Sequence, residues 1–286
     1  MFAAETVVAL DWSGAKAANG ISVAQIPATR AVTSLILPPD GPRWTRTHAL
    51  DYLCRQASHL QKTLVGIDCS FSLPFSNNQY LPELRAQTAQ ALWIEVNTVS
   101  LGASDFYAGP FAAAHTAEFW QRGKRPSEFI ERHRKTEKSA AAAGMGRPES
   151  PLKLIGAKQV GMAGLAGMRV LNALKQRCGD AVCIWPFESI TSETNLVVVE
   201  IYPTLFRLSS GAGLSKIRDV TALRTALSTF NVDFGPYAPE NLTDHDTDAL
   251  ISAAGMLGLR RETDVWKPSG LDDKTRQTEG WIFGVP

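Results

Sequence analysis

The sequence has few cysteines and no pattern among them. Only four of the 286 residues are cysteine, and they form neither a CxxC pair nor a zinc-finger spacing. The five histidines show no HxxxH or Cys/His spacing, which argues against a zinc site. We therefore expect free thiols and a reducing, cytoplasmic location.

Long apolar runs are also missing. No stretch approaches the roughly 20 apolar residues that a membrane helix needs. The first residues lack a basic segment followed by an apolar one. We expect neither a membrane partner nor a secretory signal.

A charge excess of either sign is absent. The 29 basic and 28 acidic residues give a formal net charge of +1, whereas proteins that grip long nucleic acid non-specifically carry a basic excess. A coat-like or histone-like role is thus disfavoured, although one local basic surface is compatible with this balance. Residues 122–138 carry seven basic and three acidic side chains, a pattern more typical of a solvated helix face than of substrate binding.

The first quarter of the chain predicts a mixed sheet. Residues 6–12, 21–25 and 31–37 are runs of β-formers separated by turn residues. Residues 43–63 have helical periodicity, and 64–69 form an apolar run typical of a strand covered on both faces. Three antiparallel strands and a helical crossover to a parallel strand follow from this order.

The remainder predicts helices and strands in alternation. We expect a helical insertion at about 80–150, with helices at 81–94, 112–121 and 128–143. Helices at 161–177, 220–230 and 244–261, and strands at 181–185 and 196–202, complete the pattern. No repeat or convincing linker divides the chain, so one α/β domain spanning 1–286 is predicted, its later strands parallel and its sheet flanked by helices.

Three predicted strands end in an acid. Asp11, Asp68 and Glu200 follow strongly apolar runs, where a carboxylate is costly to desolvate unless a cation or several donors meet it. A single acid in such a place is more often a turn or capping residue. Three at corresponding places in one sheet indicate a site, because the ends of adjacent strands converge.

A fourth acid lies on a predicted helix. Thr243 or Asp244 is a natural N-cap, and acids in the first turn suit the helix dipole. Asp248 comes later, where the apolar run begins, and shares a face with small residues at i+4 and i+7. We expect its carboxylate to point at the strand ends.

Four gathered carboxylates favour a hard divalent cation. Mg²⁺ and Mn²⁺ prefer oxygen ligands, and two such ions can promote in-line phosphodiester displacement. The residues predicted as metal ligands and catalytic groups are Asp11, Asp68, Glu200 and Asp248.

Two glycine-containing segments are weaker candidates. Residues 161–167 carry glycines at every third position but no GxxxxGK[ST] motif, so close helix packing is favoured over phosphate binding. Residues 11–14 (DWSG) are faintly similar to the phosphate loop of sugar kinases and actin-like ATPases.

Six motifs in order carry a family resemblance: ALDWSG, GIDCSFSLP, IGAKQVGMAGLAGM, IWPFE, VVEIYPTLF and HDTDALISA, from residue 9 to residue 253. Together they resemble an uncharacterised bacterial and archaeal family of predicted nucleases with a ribonuclease H fold. The resemblance runs from about residue 7 to the C-terminus.

This resemblance implies a ribonuclease H-like domain and a metal-dependent nuclease or phosphodiesterase acting on a nucleic acid or nucleotide. Asp11, Asp68, Glu200 and Asp248 would occupy the family's acidic positions, and His245 would belong to its H-x-x-D-A-type helix. Candidate contacts to the substrate are Lys158, Gln159, Arg147 and His245. Nuclease activity in that family is itself inferred from fold.

Two alternatives remain open at the level of sequence. An actin-like or sugar-kinase-type enzyme using ATP would need two similar halves, and only residues 11–14 hint at one. A non-catalytic interaction module would use the same acids merely to cap helices and strands.

Overall fold

The computed structural model describes residues 2–121, 123–125, 127, 129–155, 160–235 and 242–286. Within them, seven strands form one sheet in the order β5-β6-β4-β1-β2-β3-β7. The strands are β1 (Thr6–Asp11), β2 (Ser22–Pro27), β3 (Val32–Ile36), β4 (Thr63–Ile67), β5 (Val182–Ile184), β6 (Leu196–Glu200) and β7 (Asp233–Phe234).

Only β2 runs against its neighbours. It pairs antiparallel with β1 and β3, whereas β4, β6 and β5 follow β1 in parallel, and β7 is parallel to β3. The predicted mixed α/β sheet is therefore confirmed. The sequence did not predict β7, because a strand of two residues is too short to produce a periodic pattern.

Ten α-helices lie among the described residues. They are α1 (Arg46–Ser58), α2 (Ala89–Val99), α3 (Gly109–Ala114), α4 (Lys135–Ala142), α5 (Val160–Cys178), α6 (Pro203–Ser209), α7 (Val220–Ser228), α8 (Asp244–Leu259), α9 (Thr263–Trp266) and α10 (Asp273–Thr278). None of these helices combines the length and the apolar composition required to cross a bilayer.

The sheet carries a hydrophobic layer on each face. Val8 and Leu10 of β1 pack with α1, α2 and α5, while Val7 and Ala9 pack on the opposite face with α6, α7 and α8. Successive strand residues point to opposite faces. A strand buried on both faces must therefore be apolar at every position, which explains the continuous apolar runs in the sequence.

The middle of the chain departs from the predicted helices. Helix α2 begins at Ala89, where the Thr88 hydroxyl accepts a hydrogen bond from the Ala91 amide at 3.2 Å, and it continues to Val99. Helix α3 spans only Gly109–Ala114. The prediction for 128–143 is also wrong in its start, because residues 129–134 are not helical and α4 begins at Lys135. Thr88 caps the start of α2, and Glu137 accepts a hydrogen bond from the Arg134 amide at the start of α4. The apolar periodicity does not reveal such boundaries.

Candidate functional site

Three carboxylates meet at one edge of the sheet. Asp11 ends β1, Asp68 directly follows β4, and Glu200 ends β6. These three strands are parallel neighbours, so their carboxyl ends lie side by side. The Asp68 amide donates to the Leu10 carbonyl at 2.9 Å, which holds the Asp68 backbone beside the end of β1.

Helix α8 brings the fourth acid to this edge. Thr243 and Asp246 form a reciprocal capping box, and Asp246 also accepts a hydrogen bond from the Ser22 hydroxyl at 2.6 Å. These contacts agree with a capping role for Asp246. Asp248 is 1 % exposed and faces the strand ends. Gly255, two turns later, leaves room for the ring of Phe206, since a Cβ there would lie 2.2 Å from it.

All four acids line a single cavity of about 570 Å³. A volume of this size is typical of small-molecule and cofactor sites. The basic groups on the cavity wall are Arg134, Arg207, Lys216 and His245. The cavity therefore brings carboxylates and cations together in one place.

Glu200 is held by a buried arginine. Arg134 Nη1 donates to Glu200 Oε2 at 2.8 Å, Arg134 Nη2 forms a close ion pair with Oε1, and the Phe71 amide donates to Oε2 at 3.0 Å. Burial lowers the pKa of Arg134, but the negative charges of Glu137 and Glu200 outweigh it and raise that pKa overall. The negative charge of Glu200 is thus balanced by the guanidinium of Arg134.

Asp248 is held by two cations. Arg207 forms a close ion pair with Oδ1, and Lys216 forms one with Oδ2. Arg207 is buried and Lys216 is 41 % exposed in its side chain. Asp248 consequently keeps two basic side chains at the cavity wall.

Asp11 forms a hydrogen-bonded pair with His245. The distance from His245 Nδ1 to Asp11 Oδ2 is 2.6 Å. Burial raises the pKa of Asp11 from 3.8 to about 6, with His245 opposing that rise and Asp248 adding to it. The same hydrogen bond raises the pKa of His245. Gly20 at φ +88° makes room for the imidazole, because a Cβ there would lie 2.5 Å from Nε2.

Asp68 differs from the other three acids. Among the residues that the structure describes, none donates a hydrogen bond to its carboxylate. Burial raises its pKa well above the ordinary value, and the charges of Asp11 and Asp248 raise it further. Such a carboxylate would be stabilised by an added cation.

The described residues contain no group of three metal ligands. In this part of the chain, no three His, Cys, Asp or Glu side chains are grouped so that they could hold a metal ion together. Mg²⁺ is usually bound by only one or two protein carboxylates, with water and substrate phosphate completing its shell. Asp11 and Asp68 offer two carboxylates at the ends of adjacent strands.

The predicted substrate contacts are only partly described. His245 lines the cavity. Arg147 is exposed and is not part of the cavity wall, although Pro148 and Glu149 next to it are. Lys158 and Gln159 lie outside the described residues.

Residues 122–138 do not form a continuous solvated helix face. Arg134 is 1 % exposed, and Arg132 donates to the Tyr80 carbonyl at 2.9 Å. Arg122 and Glu128 lie outside the described residues. The sequence interpretation thus missed Arg134, although Glu137 three residues later is the helical spacing of an ion pair.

Arg207 and Lys216 were also missed. Arg207 interrupts an apolar run, Leu205-Phe206-Arg207-Leu208, and a buried arginine is usually paired with an acid or with several hydrogen-bond acceptors. That signal was available in the sequence, but its partner was not identifiable. Lys216 lies in a loop and left no signal.

Close packing of α5 fixes the loops that carry Asp11 and Asp68. A Cβ at Gly164 would lie 2.1 Å from Ser70 Oγ, and one at Gly167 would lie 2.4 Å from Cys69 Sγ. A Cβ at Gly14 would likewise lie 2.1 Å from the backbone carbonyl carbon of Met162. The glycine-rich helix thus serves for close packing, as its spacing predicts.

Neither protein-family models, nor curated proteins, nor solved structures gave a match to this chain. The function is therefore inferred from the geometry of the cavity and from the sequence resemblance alone.

Proposed function

We propose that this chain is a metal-dependent phosphodiesterase or nuclease with a ribonuclease H-like fold. The observation that carries the proposal is the pair Asp11 and Asp68, placed at the ends of adjacent parallel strands and facing a cavity with basic side chains on its wall. Carboxylates suit a hard cation, and basic groups suit a phosphate.

The order of the sheet supports the fold assignment. An antiparallel β1–β2–β3 unit followed by parallel β4 and β6 agrees with the arrangement expected from the sequence resemblance. The acids predicted from the resemblance all line one cavity. A shared fold alone would not be evidence for the activity.

The chain's own side chains have distinct parts in the proposed reaction. Arg207 and Lys216, held at the wall by Asp248, bind the phosphate and stabilise charge on its oxygens. His245, held by Asp11 through Nδ1 at the cavity wall, is the general base that accepts a proton from the attacking water as the bond from phosphorus to the leaving oxygen breaks. Mg²⁺ or Mn²⁺ would supply Lewis acidity and help to activate that water.

The proposal is tested by hydrolysis assays with Mn²⁺. Single-stranded, duplex, hybrid and branched nucleic acids and a small aryl phosphodiester would be offered as substrates. We expect cleavage of at least one, reduced at least a hundredfold in Asp68→Asn, because that carboxylate has no other described partner. Asp40→Asn at an exposed position is the matched control and should retain full activity. Equal activity in Asp68→Asn would remove the assignment.

A non-catalytic module of the same fold is the second candidate. It is favoured by the ion pairs of Glu200 and Asp248, which neutralise two of the four acids within the protein. This candidate predicts no effect of Mn²⁺ on the melting temperature, whereas a metal site stabilises the native state by mass action. For the actin-like alternative, the single sheet of the described residues gives no second half.

A further inference from the structure

We propose that the cavity binds a single divalent cation, held by Asp11 and Asp68. Arg134 supplies the positive charge that balances Glu200, where a second metal ion would otherwise be needed. This inference rests on the proposed metal-dependent function and specifies its stoichiometry. It assigns Arg134 as a positioning residue and removes Glu200 from the metal ligands expected from sequence.

The hydrogen bonds of Arg134 are saturated. A guanidinium has five N–H donors, and those of Arg134 meet five acceptor contacts. Nε and Nη2 donate to Glu137 Oε1 at 2.8 and 2.6 Å, Nη1 donates to the Glu279 carbonyl at 2.9 Å, and the remaining two contacts go to Glu200. The side chain is also 1 % exposed. No donor is left over to turn toward a substrate.

Both oxygens of Glu200 are engaged as well. Oε1 pairs with Arg134 Nη2, and Oε2 accepts from Arg134 Nη1 and from the Phe71 amide. A metal ion bound to Glu200 would lie next to the buried guanidinium of Arg134 and would be repelled by its positive charge. Displacement of the guanidinium would also break its ion pair with Glu137, which is 3 % exposed.

Among the described residues, the two cavity carboxylates that form no ion pair with an arginine or lysine lie at the ends of neighbouring strands. In that part of the chain, Asp11 accepts a side-chain hydrogen bond from His245 alone, and no donor contacts the Asp68 carboxylate. Both are on the strand ends of β1 and β4. The single ion is therefore assigned to this pair.

Mn²⁺ binding to the metal-free protein tests the assignment. Isothermal titration calorimetry gives affinity and stoichiometry, and the electron paramagnetic resonance signal of free Mn²⁺ counts bound ions independently. We expect one ion per chain in the wild type. Glu200→Gln should keep that stoichiometry and a Kd within about threefold, because Glu200 is not a ligand of the ion. Asp68→Asn should raise the Kd at least tenfold.

Two bound ions in the wild type, or a loss of affinity in Glu200→Gln as large as in Asp68→Asn, would overturn the inference. The wild-type count decides the question even if Glu200→Gln does not fold. One bound ion without hydrolysis of any substrate would leave the one-ion centre standing and refute the proposed function. No bound Mn²⁺ at all would refute the centre, and hydrolysis that persists in EDTA would then identify a metal-independent enzyme.

Discussion

At the scale of single residues, the cavity acids differ in what neutralises them. Glu200 and Asp248 have built-in cations, Asp11 has a half-exposed histidine, and Asp68 has no described donor. Burial of an unneutralised carboxylate opposes folding. Asp11 and Asp68 are thus the positions where the protein sacrifices stability, as is common at functional sites.

Asp11→Asn is expected to raise the free energy of unfolding of the metal-free protein at pH 8 by up to about 3 kcal/mol. Burial raises the pKa of Asp11 to about 6, so between pH 4 and 6 the native state holds a proton that the unfolded chain has lost. Wild-type stability from this group therefore falls as the pH rises through that window and is unaffected below it. Urea unfolding at pH 4 and pH 8 measures the difference.

His245 stabilises the native state, but its contribution also falls as the pH rises. Its hydrogen bond to Asp11 raises its pKa, so its stabilisation is complete below pH 6.5 and is lost as the pH rises through the raised value. The gain from Asp11→Asn should thus be largest at the alkaline end. Asp40→Asn should leave stability unchanged at both pH values, and an Asp11→Asn variant no more stable than wild type at pH 8 would contradict the prediction.

At the scale of elements, helix α5 positions the loops that follow β1 and β4 at the site. Its glycines let the helix approach the loops after β1 and β4 more closely than any other residue type would allow. Glycine costs helix stability elsewhere. At Gly164 and Gly167 this cost is offset because the missing side chains let Ser70 and Cys69 pack directly against the helix.

Gly164→Ala is expected to lower the free energy of unfolding by about 1–3 kcal/mol, because the added Cβ would overlap Ser70. Gly258→Ala is the matched substitution in α8, where nothing lies within 4 Å of the added Cβ. It should stabilise the protein by up to about 1 kcal/mol through helix propensity. Thermal and urea unfolding compare the two; a stabilised Gly164→Ala would show that α5 is not packed as described.

How far the sequence predicts these elements depends on the range of the interactions that form them. Strands and the long helices α5 and α8 follow from local apolar patterns, and the strand-end acids follow from the positions where those patterns stop. The arginine and lysine partners of these acids do not follow from local patterns. Arg134 is 66 residues from Glu200, and Arg207 and Lys216 are 41 and 32 residues from Asp248. Pairs so distant leave no spacing that a sequence pattern could reveal.

At the scale of the whole molecule, one sheet supports two hydrophobic layers. Leu165 of α5 is fully buried in one layer and Leu250 of α8 in the other. Each strand contributes alternate side chains to both layers. Because the same strands form both layers, loss of one layer would disrupt the strands on which the other is packed. The two layers are therefore expected to unfold together.

Leu165→Ala and Leu250→Ala should each lower the free energy of unfolding by about 2–5 kcal/mol. Both should shift one and the same transition, seen by circular dichroism and by tryptophan fluorescence. The effects should add in the double variant, since the two side chains lie on opposite faces of the sheet. Separate transitions for the two variants would show that the layers are independent units.

The C-terminal segment has a consequence for synthesis. The Phe283 amide donates to the Glu200 carbonyl at 2.8 Å, the Glu279 carbonyl accepts from Arg134, and Ile282 lines the cavity. Asp11 and Asp68, by contrast, are synthesised long before this segment. A nascent chain whose residues 279–283 are still inside the exit tunnel has an incomplete cavity, so the wall beside Glu200 is completed only when translation has passed them.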